Sequence, residues 1–340
     1  MSDLRHDPID DRWVSIARNR RDRPMEFVPM EQLRQQLICP FCKGNEDETP
    51  DALAAYKADG TLLAPNDDSS NWTVRVIPNR YPSFSSYSQA TRDEPDIGTL
   101  DYGPYQSNRS HGIQELVIPS SRHVTSLSEL TDVELKLSFL AFQDRFNHAR
   151  ALKYVKHAML FMNCRLAAGA SLGHIHTQLI GSPIVSNQLV SRVERNEAHF
   201  QQHGHSMLMS LAEWEIDQKA RIVEVTDNFC IVCPFASRFA FQVWIIPRAD
   251  KFDFVTCSDV MRDELAMHCR NLVSRLETVL DHPAYNLLLH ADPFAISDKS
   301  HSYFELFPRL TRAAGFEWGA DIWVNPVAPE SAARRLRVEE

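Results

Sequence analysis

The chain carries one order of features twice at a nearly constant spacing, and no other property of the sequence restricts its fold so strongly. One unit starts at Glu115-Leu116-Val117-Ile118-Pro119 and the other at Gln242-Val243-Trp244-Ile245-Ile246-Pro247, so that Pro119 and Pro247 correspond at an offset of 128. An amphipathic run follows each. In the first, Leu130, Val133, Leu137, Leu140 and Ala141 fall on one helical face, and Thr131 with Glu134 makes a capping-box pattern. In the second, Leu265, Cys269, Leu272, Leu276 and Val279 are spaced four, three, four and three. Each helix leads to an apolar strand-like run, Ala158 to Met162 and Tyr285 to Leu289, and then to a run with polar groups at alternate positions. Those last runs begin at His174 and His301, which correspond at an offset of 127. Convergent strand-helix-strand patterning would rarely hold its offset across three elements, so the reading is two copies of one α+β unit.

A length of 340 residues fits about two domains. The expected division is 1–185 for a first half and 186–340 for a second, with the polar stretch Ser186 to Gln218 helical and linking them. Residues 1 to 70 and Ser83 to Arg109 read as insertions around the first copy, rich in turn-forming residues. The 36 basic against 45 acidic side chains give a net charge of −9, which removes the broad basic surface that nucleic acid binding needs while leaving room for a local anion pocket. No apolar stretch reaches the length of a membrane span, and Met1 to His6 lacks the apolar core of a secretory signal, so the expectation is a cytoplasmic protein.

Chemistry concentrates in two places. In a strand, His174, His176 and Gln178 would stand in a row on one face, behind the small residues Gly169 to Gly173. An imidazole that attacks phosphorus needs one free nitrogen and a partner holding the other as N–H, and a neighbouring amide can donate to a phosphoryl oxygen. A metal-binding pair or two surface histidines would give the same pattern. Cys39-Pro40-Phe41-Cys42 has the spacing that lets two thiolates share one Zn²⁺, with Cys230 and Cys233 as one candidate source of the remaining ligands. Against that source, Asn228 to Val232 reads as strand, which would send those two sulfurs to opposite faces. Cys164 reads as a buried small hydrophobe.

Taken together these residues resemble the galactose-1-phosphate uridylyltransferase family of the histidine-triad superfamily. The resemblance runs through Asp7-Pro8, Arg12-Trp13-Val14, Arg20, Arg23-Pro24, Cys39-Pro40-Phe41-Cys42, Arg75 to Pro82, Glu115 to Pro119 with His123, Asn163, Gly169-Ala170-Ser171, the His174-Ile175-His176-Thr177-Gln178 row and Asn325 to Glu330. It implies two fused histidine-triad-like units with antiparallel sheets and flanking helices, related by a pseudo-twofold. It also implies Cys39, Cys42, His123 and His174 as ligands of a structural zinc and His176 as nucleophile, with the carbonyl of His174 accepting from the His176 ring. Gln178 and Ser171 would hold phosphoryl oxygens, with Asn163 near the phosphates, Asn79 near the nucleoside, and Arg20 and Arg23 near phosphate or sugar. The implied reaction moves UMP from UDP-glucose to a hexose 1-phosphate through a nucleotidyl-histidine. Ile175 and Thr177 replace the proline and glycine usual inside the row, a departure that resembles the branch with ADP-glucose phosphorylases, where phosphate is the acceptor. A dinucleotide hydrolase is a further alternative, disfavoured by Gln178 in the third position. The resemblance also implies a homodimer, and a possible second metal near His290 and His301, although Tyr303 stands where that site would want a histidine and where the second copy would want a nucleophile.

Overall fold

The structure is a computed structural model that describes residues 3–16, 38–63, 71–84, 100–102, 105–107, 111–249, 251–295 and 302–337. Arg20, Arg23 and His301 lie outside the described residues.

Fifteen strands and six α-helices are formed among the described residues. The first half holds β1 (Asp3–Asp7), β2 (Arg12–Ile16), β3 (Ala54–Tyr56), β4 (Val74–Pro78), β5 (Leu100–Tyr102), β6 (Tyr105–Ser107), β7 (Ile113–Ile118), α1 (Asp132–Ala151), β8 (His157–Cys164) and β9 (Thr177–Ser182). Two helices follow, α2 (Asn187–His203) and α3 (Met207–Gln218). The remainder is β10 (Ile222–Val225), β11 (Phe229–Val232), β12 (Val243–Pro247), α4 (Asp259–Leu280), β13 (Tyr285–His290), β14 (Tyr303–Pro308), α5 (Gly315–Ala320), β15 (Trp323–Asn325) and α6 (Pro329–Leu336).

Ten strands make one antiparallel sheet in the order β10-β11-β12-β14-β13-β8-β9-β7-β4-β3. Read from its two ends inward, that order is the same unit twice, joined where β13 pairs with β8. The register carries the repeat to the residue. Met162 opposes Thr177 in one half and Leu289 opposes Phe304 in the other, both partners moved by 127. Val117 opposes Thr177 and Ile245 opposes Phe304, the outer strand moved by 128. The pseudo-twofold passes between Phe161 and Leu288, which face each other across the join and are themselves related by the offset of 127.

Alternate residues divide the sheet into two faces. On one face Leu160, Met162, Leu179, Leu287, Leu289, Phe304 and Leu306 are buried beneath α1 and α4 in one core that runs across both halves. Helix α1 is set by the capping box read from the sequence: Thr131 accepts from Glu134 N and the Glu134 carboxylate accepts from Thr131 N. Its buried face is Leu135, Leu137, Phe139, Phe142 and Phe146, while Val133 is exposed and Leu130 precedes the helix, so the expected stripe was rotated at its start. The other sheet face is covered differently in the two halves. Over the second, Leu208 and Ala212 of α3 pack on Cys230, Val232, Trp244 and Tyr303. Over the first, Phe41 and Leu63 pack on Ile77, Leu116 and Ile118. The boundary expected at residue 185 falls in the link before α2, yet β2 crosses to pair in parallel with β15, so residues 3–16 lie against the second half.

Candidate nucleotidyl-transfer site and metal centre

Two turns and a strand lead-in converge at the edge of the first half. The knuckle is closed by Cys42 N donating to Cys39 O (3.3 Å) and Asn45 Nδ2 donating to the same carbonyl (2.8 Å). Lys43 N donates to Ser121 O (3.0 Å), which ties the knuckle to the loop carrying His123. That loop is anchored by the capping glutamate of α1. Glu134 accepts from Ser120 Oγ (2.6 Å) and from Arg122 Nη2 (2.6 Å). Burial alone would raise its carboxyl, but Arg122, Ser120 and Thr131 bring it down to about 2. One side chain thus caps a helix and anchors the loop that carries His123.

His174 and His176 do not stand on the strand itself. Strand β9 starts at Thr177, because Ile175 N donates to Val124 O (2.8 Å) in the loop carrying His123 instead of to a sheet neighbour. That loop and the strand lead-in are therefore strapped together just upstream of the ladder.

Cys39 Sγ is 3.6 Å from His174 Nδ1, Cys42 Sγ is 3.6 Å from the same nitrogen, and Cys42 Sγ is 3.4 Å from His123 Nδ1. All four donor atoms lie within 4.8 Å of one another. Bonds of about 2.3 Å to sulfur and about 2.05 Å to nitrogen at tetrahedral angles put S and N about 3.5 Å apart, so the donor set fits a zinc-sized ion. Its protonation points the same way. Burial and the adjacent Cys39 sulfur push the Cys42 thiol up to about 11, a cost that a divalent cation reverses by drawing out the thiolate. Burial and the neighbouring His123 and His176 rings lower His174 to about 4, leaving it neutral as a ligand must be. Cys230 and Cys233 are elsewhere, buried in the second half on opposite sheet faces as their strand spacing requires.

The His176 ring is buried, with Nδ1 2.9 Å from the carbonyl of His174. That carbonyl fixes Nδ1 as the N–H and leaves Nε2 with its lone pair. Burial holds the ring's pKa below the ordinary imidazole value. Phe41, from the knuckle, sets its edge against the ring at 5.2 Å between centroids. Two residues on, Gln178 is half-buried and its Oε1 accepts from Gln114 Nε2 (3.3 Å). Gln114 O accepts from Asn79 N (2.9 Å), so Asn79 joins this group through Gln114. Asn163 lies opposite Asn286 across the join, and its Oδ1 accepts from Asn286 Nδ2 (2.7 Å), which also donates to Ala168 O (3.0 Å). Gly169, at φ 95° in the left-handed region, turns the chain there, 3.6 Å from Asn163 Nδ2 if it carried a Cβ. Ser171 is exposed in the following loop.

Phe41, Gln114 and Asn286 were not among the residues read from the sequence. Gln114 could have been found, since it repeats as Gln242 at the offset of 128. Cys164 is buried as expected, with its thiol pushed up to about 11 by burial.

The second metal expected near His290 does not fit the residues present. His290 Nε2 is 2.7 Å from Glu305 Oε2 and its Nδ1 is 3.2 Å from Arg192 Nη1, so both ring nitrogens are engaged and a guanidinium stands where an ion would approach.

Residues 192–316 match the family of the galactose-1-phosphate uridyl transferase C-terminal domain. Over 98% of its length the chain is 28% identical to an ADP-glucose phosphorylase of Arabidopsis thaliana, covering 92% of that protein. It is 25% identical over its whole length to a galactose-1-phosphate uridylyltransferase of Thermotoga maritima, covering 99% of it. Among solved structures, an ADP-glucose phosphorylase from Arabidopsis thaliana with bound ADP-glucose superposes with a TM-score of 0.82 at 26% identity, over 100% of this chain and 99% of that one. No described helix is long and apolar enough to cross a membrane.

Proposed function

We propose that this chain, which is similar to the galactose-1-phosphate uridylyltransferases and to ADP-glucose phosphorylase, transfers a nucleotidyl group from a nucleoside diphosphate sugar by way of His176. The observation that carries this reading is the His176 ring, held at Nδ1 by a backbone carbonyl, with Nε2 unpartnered among the described residues. Nε2 attacks the α-phosphorus, a P–N bond forms, and the bond from that phosphorus to the bridging oxygen breaks, releasing sugar 1-phosphate. An acceptor oxygen then attacks the same phosphorus and returns the electron pair to Nε2. Splitting one displacement into two through a reactive phosphoramidate is covalent catalysis. Burial keeps the ring neutral, so no proton has to be removed before attack.

Cys39, Cys42, His123 and His174 would hold the zinc, whose chemistry here is to fix the backbone that presents the His174 carbonyl. Gln178 and Asn163 would donate to phosphoryl oxygens as charge shifts onto them, with Ser171 at the mouth of the site. Asn79, placed through Gln114, would stand toward the nucleoside, and Arg20 and Arg23 toward phosphate or sugar.

For the substrate pair we propose an ADP-sugar as donor and inorganic phosphate as acceptor, giving ADP and sugar 1-phosphate. This rests on the similarity to ADP-glucose phosphorylase in sequence and fold. The second reading, UMP transfer from UDP-glucose to galactose 1-phosphate, is favoured by the match of residues 192–316 to the uridyl transferase domain. Steady-state assays with ADP-glucose plus phosphate and with UDP-glucose plus galactose 1-phosphate separate them. Turnover with parallel double-reciprocal lines is expected for the first pair. Turnover only with the second reverses the choice of substrate, and turnover with neither removes both.

A further inference from the structure

We infer that His199, His203 and His205, at the corner between α2 and α3, form a second metal-binding site for a divalent transition ion. His199 and His203 are four residues apart on α2 and so share one face of the helix. Their rings are 4.3 Å apart between centroids, and His205 in the turn is 6.0 Å from His199 and 6.4 Å from His203. The molecule supplies its own yardstick: the two rings of the Cys₂His₂ cluster, whose nitrogens converge on one point, stand 5.2 Å apart. The three distances at the corner bracket that value, and side-chain rotation is needed before all three ring nitrogens converge on one centre.

The backbone beneath the rings is fixed. Gly204 adopts φ 81°, the left-handed region, and its N–H closes α2 on Phe200 O (2.8 Å). Ser206 caps α3 through Met209 N (3.1 Å), and Asn196 Oδ1 accepts from Met207 N (3.0 Å). His205 is thereby held over the last turn of α2.

The chemistry of the ring contacts points to a cation. Among the described residues, these three rings contact one another and Ser210, and none is paired with a carboxylate. His199 Nε2 and His205 Nε2 both face Ser210 Oγ, at 2.7 and 2.9 Å. A hydroxyl has one proton to donate, so two imidazole nitrogens already converge on one small group. Three imidazole nitrogen donors with neither thiolate nor carboxylate suit Zn²⁺, Cu²⁺ or Ni²⁺ and not Ca²⁺ or Mg²⁺. The exposed edge at His203 leaves a fourth position to water. This site is independent of the reaction at His176.

The test uses the full chain with its Cys₂His₂ cluster filled, dialysed free of excess metal and titrated with Zn²⁺ alone by calorimetry. One further zinc per chain is expected, unaffected by millimolar Mg²⁺. Losing an outer-shell partner costs roughly 10–100-fold in metal affinity, so removing a ligand in His203→Ala or His199→Ala should weaken this second event by at least about tenfold. Because His203 is exposed, the thermal midpoint of His203→Ala without added metal should match the parent, and nucleotidyl transfer should be unchanged. A parent that takes up no further zinc, or variants that take it up as tightly as the parent, would overturn the inference.

Discussion

The two halves place the same skeleton of polar groups at equivalent positions and use it in opposite ways. At the offset of 127, Asn163, His176 and Gln178 recur as His290, Tyr303 and Glu305, and at 128 Gln114 recurs as Gln242. Even the hydrogen bond is repeated: Gln114 Nε2 donates to Gln178 Oε1 in the first half, and Gln242 Nε2 donates to Glu305 Oε1 in the second. In the first half Nε2 of His176 has no hydrogen-bond partner among the described residues, and Asn163 is held through its Oδ1. In the second, His290, Glu305 and Gln242 are all engaged. Glu305 receives His290, Gln242, Trp244 (3.4 Å) and Arg238 (3.3 Å). Burial would raise its carboxyl, but the Arg238 guanidinium and His290 hold it well below the usual carboxylate range. Tyr303 stacks on His290 at 4.5 Å, and Arg192 bridges Asp10 (2.6 Å) to His290. Reactivity needs a group left over, and one half has filled its leftovers with charge pairs.

The strongest way to break the comparison is to exchange the two centres. Loss of the nucleophile in His176→Ala should reduce turnover by at least about 10⁴-fold, whereas Tyr303→Phe should change it by less than about twofold. Equal effects in initial-rate assays would mean that the halves are not divided as described.

Next in size, Arg192→Ala should destabilise the protein by about 3–5 kcal/mol, because it leaves Asp10 and His290 buried without their cation. Thermal unfolding should show the loss, with transfer rates per folded molecule largely retained.

Asn286→Asp sharpens the boundary between the halves. The isosteric carboxylate can only accept, so Asn163 must turn its Nδ2 toward position 286 and present its oxygen to the phosphates. A fall of about 100-fold in kcat per folded molecule is expected, since one phosphoryl donor is lost, together with a lower thermal midpoint because Ala168 O also loses its donor. A purely structural Asn286 would move the midpoint and spare kcat.

Smallest is Glu134→Gln, expected to cost about 2 kcal/mol by loosening the loop that carries His123. The folded carboxyl at about 2 lies below its ordinary value of 4.5. Its contribution is therefore complete above pH 4.5 and lost as pH falls toward about 2, so variant and parent should converge in acid. For His176 the sign is set by a pKa held under that of a free imidazole: nucleotidyl transfer should be flat above pH 6.5, with its acid limb below.

Much of this was legible in the sequence because periodicity survives burial. The offsets of 127 and 128 appear unchanged in the strand register, and Leu265, Cys269, Leu272 and Leu276 face the core. Cysteine spacing alone left Cys230 and Cys233 as candidate ligands; the cluster the fold assembles from three loops was implied by the family resemblance. What sequence spacing missed were contacts made across the fold. Phe41 acts by lying against a ring far along the chain, and Asn286 acts from the other half. The strand was expected to begin at His174, but Ile175 gives its N–H to Val124, a partner no local pattern announces. A second metal near His290 was implied by the family resemblance alone, and the guanidinium of Arg192 removes it.

The division of labour reduces to how many covalent centres one chain carries. Incubation with a base-labelled nucleotide sugar and no acceptor, followed by intact mass and peptide mapping, counts them. One nucleotidyl group per chain on the peptide containing His176, discharged by phosphate or a sugar 1-phosphate, is the predicted result. Label on a second-half peptide, or sustained turnover with none on His176, would contradict it.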